Sequence, residues 1–560
     1  MLHILNEGNP SCEPYDGGFE LTCDVCVVGL GTAGAIAAIA AAKRGQRVIG
    51  VDASSIPGGV GTSGCVWDYY YGAYGGLYCE INAEADRIVA EGRYIHSTKP
   101  GYKLSYSTPV KSLALERFFE RYGVRTIYES NVTGVLCDGK RVVGVIIFDG
   151  GRFVSIGASV VIDGAEGAVC HLMGLPTLGG RKSDGKTARF SRTVGVMEYK
   201  RMHGAWAFNE DYANTTPSEA AAMTCRWASS HPCLAESYTD RTRLYAVGRE
   251  IGLREVLCVS CERNFLFTDY LAGNCPENVI FYTFSPLDNA NPDLWNEDED
   301  FQDWQFLCGM HAYGVSMGVC PEMLIPRGME GILLAGKHIG TGHTMTSTIR
   351  MRTDMEKCGE AAGVMAAMMC EHGCSGLTLS REHFDELRGI LAESGCYDPD
   401  NDRGICDLNL PDDPMWKPVP LPKTAEELRE TLGSEHPSLG LFAVRLGLFD
   451  ADTLAGWLDA DGLLRDNAAV ALGMMGDRRA LPVLREILAG EPVVHIYRSP
   501  HKYFFPWLET TELCNFTKAV CLVGRLGDAD SLERLREIAA GDDKAAEWAK
   551  ASIRKIEQKS

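Results

Sequence analysis

The chain has 560 residues, of which 45% are apolar and 23% are charged. This is enough to bury sizeable cores in about three or four domains. The formal net charge of −21 argues against non-specific binding to nucleic acid or to anionic membranes, because both need basic patches. No apolar stretch is uncharged over the length of a transmembrane helix, and the N-terminal residues lack the basic and apolar segments of a secretory signal. We therefore expect a cytoplasmic protein.

The first predicted unit is a strand, a glycine-rich turn and a helix. Residues 25–28 predict a buried parallel strand, the turn 29–34 (GLGTAG) fits G-x-G-x-x-G, and residues 35–43 are mostly small helix formers. The first glycine would allow a tight turn, the second would let the backbone approach a pyrophosphate, and the third would let the helix pack closely on the strand. A second strand, 47–51, ends at Asp52, which can hold ribose hydroxyls. The unit predicts dinucleotide binding but does not distinguish NAD from FAD.

A glycine-dense loop follows at residues 53–64. A flexible surface loop is one interpretation, but its position after the second strand favours a course along the cofactor's pyrophosphate and ribityl chain. The aromatic run 67–71 either borders a flat ring or simply packs, and Asp68 within it is a weak catalytic candidate.

The next elements alternate between helix and strand. Residues 113–122 predict a helix, and 124–128, 132–137 and 142–148 predict strands, the last two joined by a turn at Asp138-Gly139. The apolar run 160–164 predicts a strand that returns to the first sheet. Residues 185–319 have no regular pattern, which suggests a separate domain covering the cofactor. Arginines in this part, Arg254 among them, either pair with local acids or grip an anionic substrate.

A second informative stretch lies at residues 331–350. An apolar strand ends at Ala335-Gly336, and the polar loop after it carries His338, His343 and Arg350. Thr353 and Glu356 have the spacing of a capping box, so we expect a helix to begin there with its N-terminus aimed at the cofactor ring.

The 21 cysteines raise the question of a metal or redox site. Cys23/Cys26 and Cys258/Cys261 have C-x-x-C spacing, but an offset of three in a strand should put the paired thiols on opposite faces. We interpret them as buried, reduced thiols and predict no metal site.

The C-terminal part is predicted to be a linker followed by helices. Residues 397–423 are rich in Asp and Pro, and the pattern of 472–490 recurs in the same register at 523–541. Such a repeat is typical of HEAT-like helical pairs, which bury their apolar faces by stacking. Between the copies, the aromatic insertion within 491–513 forms either an interface or a lid over the active site.

Five stretches together resemble the FAD-dependent oxidoreductases whose architecture is related to fumarate reductases, L-aspartate oxidases and succinate dehydrogenase flavoproteins. They are the fingerprint with Asp52, the Pro57-Gly58-Gly59 loop, the return strand 160–164, the GLREV…FLFTDYLAG segment (252–273) and ILLAGKHIGTGH…IR…CGEAAGVMAAM (332–368).

The resemblance implies non-covalent FAD, a discontinuous FAD domain and an inserted substrate domain. Two positions depart from the family pattern: Lys337 stands where arginine is usual, and residues 163–166 (DGAE) replace a more usual Asp-x-Thr-Gly. We find no second G-x-G-x-x-G for a nicotinamide, so the flavin's electrons are expected to pass to or from another, unknown acceptor or donor.

The predicted fold class is α/β, with a Rossmann-like, discontinuous FAD-binding domain, an inserted α+β substrate domain and an all-α HEAT-like region. The expected bounds are 20–184 and 321–385 for the FAD domain, 185–320 for the substrate domain, 386–424 for a linker and 425–560 for the repeats. The residues expected to bind the cofactor are Gly29, Gly31, Thr32, Ala33, Gly34, Asp52, Ala53, Gly58, Gly59, Gly61, Thr62, Ser63, Asp163, Gly164, Gly336, His338, Gly359 and Ala362.

We therefore expect an oxidoreductase that transfers a hydride between flavin N5 and a small polar substrate, either sugar- or polyol-like or a carboxylate. His343 is the first candidate for proton transfer, because imidazole titrates near neutral pH, and Arg350 and Arg254 would hold or polarise substrate oxygens. The alternative is a scaffold or regulatory protein with a structural flavin that binds a partner through its repeats. We also regard a homo-oligomer as possible, and we expect no nucleic-acid or membrane partner.

Overall fold

The structure is a computed structural model, and it describes residues 2–6, 9–67, 69, 71–91, 106–188, 190–198, 205–211, 214, 216, 242–288, 293–408, 418–490 and 514–559. Asp68 and the aromatic insertion at 491–513 lie outside these residues, so the hypotheses placed on them stay predictions.

The strands of the described part are numbered here in chain order. They are β1 (Leu2–Asn6), β2 (Asn9–Tyr15), β3 (Leu21–Val28), β4 (Val48–Val51), β5 (Arg125–Ile127), β6 (Asn131–Asp138), β7 (Arg141–Asp149), β8 (Arg152–Asp163), β9 (Thr177–Leu178), β10 (Phe190–Glu198), β11 (Ala205–Asp211), β12 (Thr242–Val247), β13 (Gly252–Leu253), β14 (Cys258–Val259), β15 (Phe281–Pro286), β16 (Tyr313–Val319), β17 (Ile332–Leu334) and β18 (Ile405–Asp407).

The α-helices of the described part fall into two groups. Those before residue 400 are α1 (Gly34–Lys43), α2 (Leu77–Ala90), α3 (Thr108–Tyr122), α4 (Ala168–Leu172), α5 (Phe267–Leu271), α6 (Glu299–Gln302), α7 (Thr346–Ile349), α8 (Arg352–His372), α9 (Gly376–Glu382) and α10 (Phe384–Glu393). Those of the C-terminal region are α11 (Ala425–Leu432), α12 (Ser438–Arg445), α13 (Ala451–Ala455), α14 (Gly462–Met474), α15 (Leu481–Ala489), α16 (Asn515–Arg525), α17 (Leu532–Ala539) and α18 (Lys544–Lys559).

The main sheet joins a parallel half to an antiparallel half through β8. Within the described residues its strand order is β2-β1-β6-β7-β8-β3-β4-β5, and β17 also pairs with β8. The start of β8 pairs with β7 antiparallel, whereas its end pairs in parallel with β3 and β17. In the strand register, Val28 pairs with Val51 on one side and with Asp163 on the other, and Asp163 pairs with Leu334. Four parallel strands therefore finish at one edge, where ligands of such sheets bind.

Helices α1 and α8 cross in close contact beneath this edge. A Cβ atom added at Gly359 would lie 2.1 Å from the Ala33 carbonyl oxygen, and one at Gly363 would lie 2.3 Å from that of Ala37. No side chain fits between the helices at these points, which explains the small residues in the sequence of α8. The glycines bring the start of α8 to the edge at which the parallel strands finish.

The predicted capping box of α8 is wrong. The helix begins after Met351, and no side chain caps it. Thr353 lies inside the first turn, while the Glu356 carboxylate accepts hydrogen bonds from the Tyr69 hydroxyl (2.5 Å) and the Lys111 ammonium (3.1 Å). Glu356 is therefore bound by buried side chains that are remote in sequence, and it does not take part in a helix cap.

The opposite-face prediction is also wrong for Cys23 and Cys26. The two thiols hydrogen-bond to each other, and this contact lowers the pKa of Cys23. Thiols on opposite faces of a strand could not make this contact. Both cysteines are buried and free of disulfides.

Three smaller sheets cover the main one. In the described part, β11-β10-β12 with β13 forms one sheet, β14-β9 a second and β15-β16-β18 a third. Strand β18 lies within the stretch expected to be a linker and pairs with β16, from Tyr313 opposite Asp407 to Val315 opposite Ile405. The linker therefore contributes to the sheet structure.

The C-terminal helices dock on the segment around residues 299–307. The Trp548 ring stacks on Phe306 with ring centroids 4.4 Å apart, and the edge of Trp304 meets Phe442 at 4.9 Å. Asp303 accepts hydrogen bonds from Arg445 (2.6 Å) and Arg525 (2.5 Å). Apolar stacking and a shared carboxylate thus join the two parts. No helix among the described residues has the length and apolar character to cross a membrane.

Candidate functional site

A cleft of about 600 Å³ opens at the carboxyl edge of the parallel strands. Four loops that follow strands form its wall, and each contains residues singled out by the sequence. The lining residues are Gly29, Gly31, Thr32 and Ala33 after β3; Asp52, Ala53, Ser54, Ser55, Gly59 and Val60 after β4; Gly164, Ala165 and Glu166 after β8; Ala335, Gly336, Lys337 and His338 after β17; and Glu129, Arg249, Glu250 and Met355.

The three glycines of the fingerprint occupy three different environments. Gly29 has φ +88°, which only glycine adopts readily, and it makes the tight turn after β3. A Cβ atom at Gly31 would meet no atom within 4 Å and would project into open space. A Cβ atom at Gly34 would lie 1.8 Å from the Gly29 carbonyl oxygen. The open space at Gly31 fits a pyrophosphate lying on the turn at the N-terminus of α1.

Asp52 ends the strand beside this turn. One carboxylate oxygen accepts the Leu30 N–H at 2.5 Å and the other accepts the Ser54 N–H at 2.6 Å. These bonds fix the carboxylate at the cleft, and burial raises the pKa of Asp52. Its remaining lone pairs can accept hydrogen bonds from ribose hydroxyls.

Several expected cofactor residues shape the loop after β4 without lining the cleft. The Thr62 hydroxyl donates to the Pro57 carbonyl at 2.6 Å, and the Ser63 hydroxyl bonds to Glu250. Gly58 has φ +101°, and a Cβ atom at Gly61 would lie 2.5 Å from the Arg352 guanidinium. These residues position Gly59, which does line the cleft.

His338 lies in the cleft wall opposite the fingerprint. Its Nε2 is 3.0 Å from the Asp163 carbonyl oxygen, which fits an Nε2–H donor. Burial lowers the pKa of His338, so the ring is neutral at pH 7. The Asp163 carboxylate accepts the N–H groups of Ala165 and Cys170, both at 3.1 Å, and so holds the turn after β8. Gly359 and Ala362 lie in α8, where Gly359 lets that helix contact Ala33.

A smaller pocket of about 90 Å³ adjoins the cleft and shares Val60, Lys337 and Met355 with it. Four cationic side chains line it, and among the described residues that line it there is no acid. The complete lining is Val60, Val66, Ser191, Gly252, Leu253, Arg254, Lys337, Arg350, Met351, Arg352 and Met355. Arg254 and Arg350, distant in the sequence, therefore meet in one pocket.

Arg352 is held by several contacts. Its Nη1 donates to the Val66 and Trp67 carbonyls at 2.8 and 2.9 Å, and Nη2 donates to the Tyr69 hydroxyl at 2.9 Å. The guanidinium lies 4.0 Å over the Tyr69 ring, a cation–π contact. Arg350 is held by Asp288, through its carbonyl at 2.6 Å and its carboxylate at 3.1 Å.

The structure does not bring His343 into either cavity. Its Nδ1 lies 2.7 Å from Glu255 and its Nε2 lies 2.9 Å from Glu297, and all three side chains are buried. Despite the opposing effect of burial, the two carboxylates raise the pKa of His343 to about 10. An imidazolium with both nitrogens engaged is poorly suited to exchange protons near neutral pH, so this geometry argues against the catalytic role that the sequence suggested.

Other lining residues were not among those expected. Arg352 follows Arg350 by two residues and lies just beyond the polar loop that the sequence marked as informative. Lys337 was noted in the sequence only as a departure. Glu129 and Glu250 are separated from the glycine turn by long stretches of chain, and no local pattern marks them as neighbours of the cleft. Arg249 is one of the closely spaced arginines that the sequence offered as candidates to grip a substrate, and it lines the cleft.

A family model described as FAD dependent oxidoreductase matches residues 24–237 and 234–391, which is more than half of the chain. A glycine turn with open space, an acid at the end of the next strand and a cleft between them fit this class. The chain therefore belongs to the FAD-dependent oxidoreductase family. It is an enzyme, a flavoprotein oxidoreductase, and its cofactor is FAD.

Solved flavoprotein structures match the chain at low identity. A geranylgeranyl bacteriochlorophyll reductase-like protein of Thermoplasma acidophilum is 15% identical, with 83% of this chain and 98% of that chain covered and a TM-score of 0.36. A myxobacterial chondrochloren halogenase is 14% identical, with coverages of 82% and 99% and a TM-score of 0.35. p-Nitrophenol 4-monooxygenase from Pseudomonas putida is 13% identical, with coverages of 67% and 87% and a TM-score of 0.35. At these scores the resemblance says nothing about the substrate. A comparison with curated proteins gives no match.

Proposed function

We propose that this FAD-dependent oxidoreductase transfers a hydride between flavin N5 and a carbon of a small substrate that carries a carboxylate. The observation that carries the proposal is the charge of the pocket beside the cofactor cleft. Arg254, Lys337, Arg350 and Arg352 line it, and no acid is found among its described lining residues. Cationic side chains around so small a volume favour an anion, because guanidinium groups bind carboxylates through two parallel hydrogen bonds.

The cofactor supplies the two-electron chemistry when it is bound, and the protein supplies binding and orientation. The glycine turn and the N-terminus of α1 would hold the pyrophosphate, and Asp52 the ribose. Lys337 and Met355 line both cavities, so a substrate in the small pocket would lie next to the bound cofactor. We infer non-covalent binding, with contacts from the ten of the eighteen expected residues that line the cleft.

Arg254 and Arg350 would hold the substrate carboxylate. Arg352 would add a fixed positive charge, because three hydrogen bonds and the Tyr69 ring prevent its movement. The apolar groups of Val60, Val66 and the two methionines would exclude water from the reacting carbon. We name no proton donor or acceptor, since the contacts of His343 argue against it.

The alternative of a sugar or polyol substrate has less support. Polyol hydroxyls are recognised by side chains that both donate and accept hydrogen bonds, above all carboxylates and amides. Among the described side chains that line the small pocket, Ser191 alone offers an oxygen acceptor. A polyol there would leave most of its hydroxyl protons without acceptors.

The division into domains is part of this proposal: FAD-binding at 20–184 and 321–385, substrate-binding at 185–320, a linker at 386–424 and HEAT-like repeats at 425–560. Parallel pairing of β17 with β8 supports a discontinuous FAD domain related in architecture to fumarate reductases. The succession α14, α15 and then α16, α17 follows the repeated sequence and supports helical pairs. A second electron partner and a homo-oligomer stay predictions.

The test is anaerobic reduction or reoxidation of the purified yellow enzyme, followed by flavin absorbance. A panel of small 2-hydroxy acids and 2-enoates should change the flavin spectrum, whereas their amides and simple polyols should not. Arg254→Lys should raise the KM for the active acid, because one charge-assisted bond is worth about 1.5–3 kcal/mol, or roughly ten- to hundred-fold. Arg152→Met, on an exposed hairpin, is the matched control. A response to polyols but to no acid would overturn the proposed substrate class.

A further inference from the structure

Two histidines and a glutamate meet at the C-terminal end of α8, on the side of the molecule formed by α9 and α10. His372 is the last residue of α8, and Gly373, at φ +62°, ends that helix. His383 joins α9 to α10, and Glu386 lies in the first turn of α10. Two helix junctions therefore bring together three side chains that the sequence separates, and neither cavity of the flavin site includes them.

The ligand atoms of this group are close to one another. His372 Nε2 lies 3.2 Å from a Glu386 carboxylate oxygen, and His383 Nδ1 lies 3.7 Å from the same oxygen. All three ligand atoms lie within 4.8 Å of one another. Zinc–nitrogen bonds of about 2.0–2.1 Å place neighbouring ligand atoms of a tetrahedral ion about 3.3 Å apart. Both distances to the carboxylate are near this value.

The imidazole rings need only a small adjustment to bind an ion. They are stacked, with centroids 4.0 Å apart and planes inclined by 22°, so their lone pairs lie in nearly parallel planes and the rings must turn to aim both at one ion. The torsion that turns a histidine ring about its Cβ–Cγ bond is broad and costs little. The side chains are 29%, 30% and 48% exposed, so they have room to turn.

We infer that His372, His383 and Glu386 form a binding site for a divalent transition-metal ion of the Zn²⁺ type. Two imidazoles and one carboxylate suit zinc, whereas Mg²⁺ and Ca²⁺ prefer sites made of oxygen ligands. Solvent reaches all three side chains, so a water molecule completes the coordination. The site would therefore hold a cation of intermediate softness through three protein side chains.

Binding would connect the end of α8 to α10. Helix α8 carries Arg352 and Met355 at its other end, in the wall of the proposed substrate pocket. The ion would therefore fix the far end of the helix that presents these residues. A stabilising effect without loss of FAD is expected, because the metal site and the cofactor cleft share no residue.

The experiment is a calorimetric titration of the full-length holoenzyme with Zn²⁺ after treatment with EDTA and desalting. We expect one ion per chain with a Kd of about 10 μM or lower, and no binding of Mg²⁺. His372→Ala, His383→Ala and Glu386→Gln should each weaken binding at least ten-fold. His436→Ala, an exposed histidine of the helical region, should bind zinc as the unaltered protein does. The flavin spectrum of each variant reports whether it is folded.

A second readout is the melting temperature. Zinc should raise Tm in the unaltered protein and in His436→Ala, but not in Glu386→Gln, since an ion that binds only the folded chain stabilises it. Absence of a saturable one-to-one heat overturns the inference. So does zinc binding of unchanged affinity in the variant His372→Ala/His383→Ala, because the ion would then be held elsewhere.

Discussion

The ammonium nitrogen of Lys337 lies 2.6 Å from a carboxylate oxygen of Glu166 at the wall of the FAD cleft. Lys337 and the segment 163–166, which contains Glu166, are the two positions where the sequence departs from the pattern of the proteins it resembles. The two departures therefore form an ion pair with each other. Lys337 also donates to the Leu253 carbonyl at 2.7 Å, so its charge stays at the junction of the cleft and the small pocket. The acid takes part of that charge away from the cofactor.

Glu166→Gln should therefore strengthen FAD binding and make the flavin easier to reduce. The unpaired ammonium would favour both the pyrophosphate and an anionic reduced flavin. Because Glu166 is 45% exposed, solvent screens the pair, and we expect only a roughly three-fold fall in the Kd for FAD, as for an exposed ion pair. Fluorescence titration of apoprotein with FAD, and the flavin midpoint potential, measure these effects.

Glu129→Gln is the matched control for this change. Glu129 also lines the cleft and also has a positive φ (54°, against 56° for Glu166), but no ion pair between it and Lys337 is found in the described part of the chain. Removal of its charge should change the Kd less than Glu166→Gln does. Equal effects of the two variants would mean that net charge, rather than release of Lys337, determines affinity.

Gly31→Ala and Gly34→Ala should fail in different ways. The methyl group at Gly31 would project into open space in the cleft, so the protein should fold but lose FAD. The methyl group at Gly34 would lie 1.8 Å from a backbone oxygen, so α1 could not pack against β3. We expect Gly31→Ala to be colourless with a Tm close to that of the apoprotein, and Gly34→Ala to unfold at a clearly lower temperature than either. Full FAD content in Gly31→Ala would contradict the proposed path of the pyrophosphate.

His343→Gln should reduce stability rather than the rate of flavin reduction. It would leave the buried carboxylates of Glu255 and Glu297 without their shared cation, and loss of one partner of a buried ion pair costs about 3–5 kcal/mol. Denaturant unfolding measures the loss. Flavin reduction by the folded fraction should be little changed. A large loss of reduction rate with unchanged stability would restore the catalytic role predicted from the sequence.

The stabilising contribution of His343 should also depend on pH. Its pKa is about 10 in the folded state, well above the ordinary value of 6.5 for a histidine. Because the folded state binds the proton more tightly, the contribution is complete below pH 6.5 and declines as the pH rises towards 10. The free energy of unfolding, measured between pH 6.5 and pH 10, should therefore fall more steeply in the unaltered protein than in His343→Gln.

Trp548→Ala should loosen the contact between the C-terminal helices and the rest of the chain. The ring is buried and stacks on Phe306, so its removal leaves a cavity and costs about 3–5 kcal/mol. Trp548→Phe keeps a stacked ring and removes a buried N–H that has no hydrogen-bond partner in the described structure, so it should cost far less. Denaturant unfolding of the two variants tests this. Equal losses would mean that the stack contributes little.

Much of the fold could be predicted from local pattern. The fingerprint required a strand, a turn and a helix in close contact, and the structure has them at β3, Gly29 and α1. Glycine periodicity and apolar runs are local properties, since they follow from allowed φ angles and from burial of one short segment. The capping box failed because Glu356 is held by Tyr69 and Lys111, which are remote in sequence.

The sequence by itself indicated a dinucleotide cofactor, because glycines at fixed spacing between a strand and a helix leave room for a pyrophosphate. Only the tertiary structure decided which charges line the small pocket beside the cleft. It brought Arg254 and Arg350 into one pocket, enclosed His343 between Glu255 and Glu297, and paired Lys337 with Glu166. The charge that a side chain presents depends on partners within a few ångströms in space, and those partners come from strands and loops that are far apart along the chain.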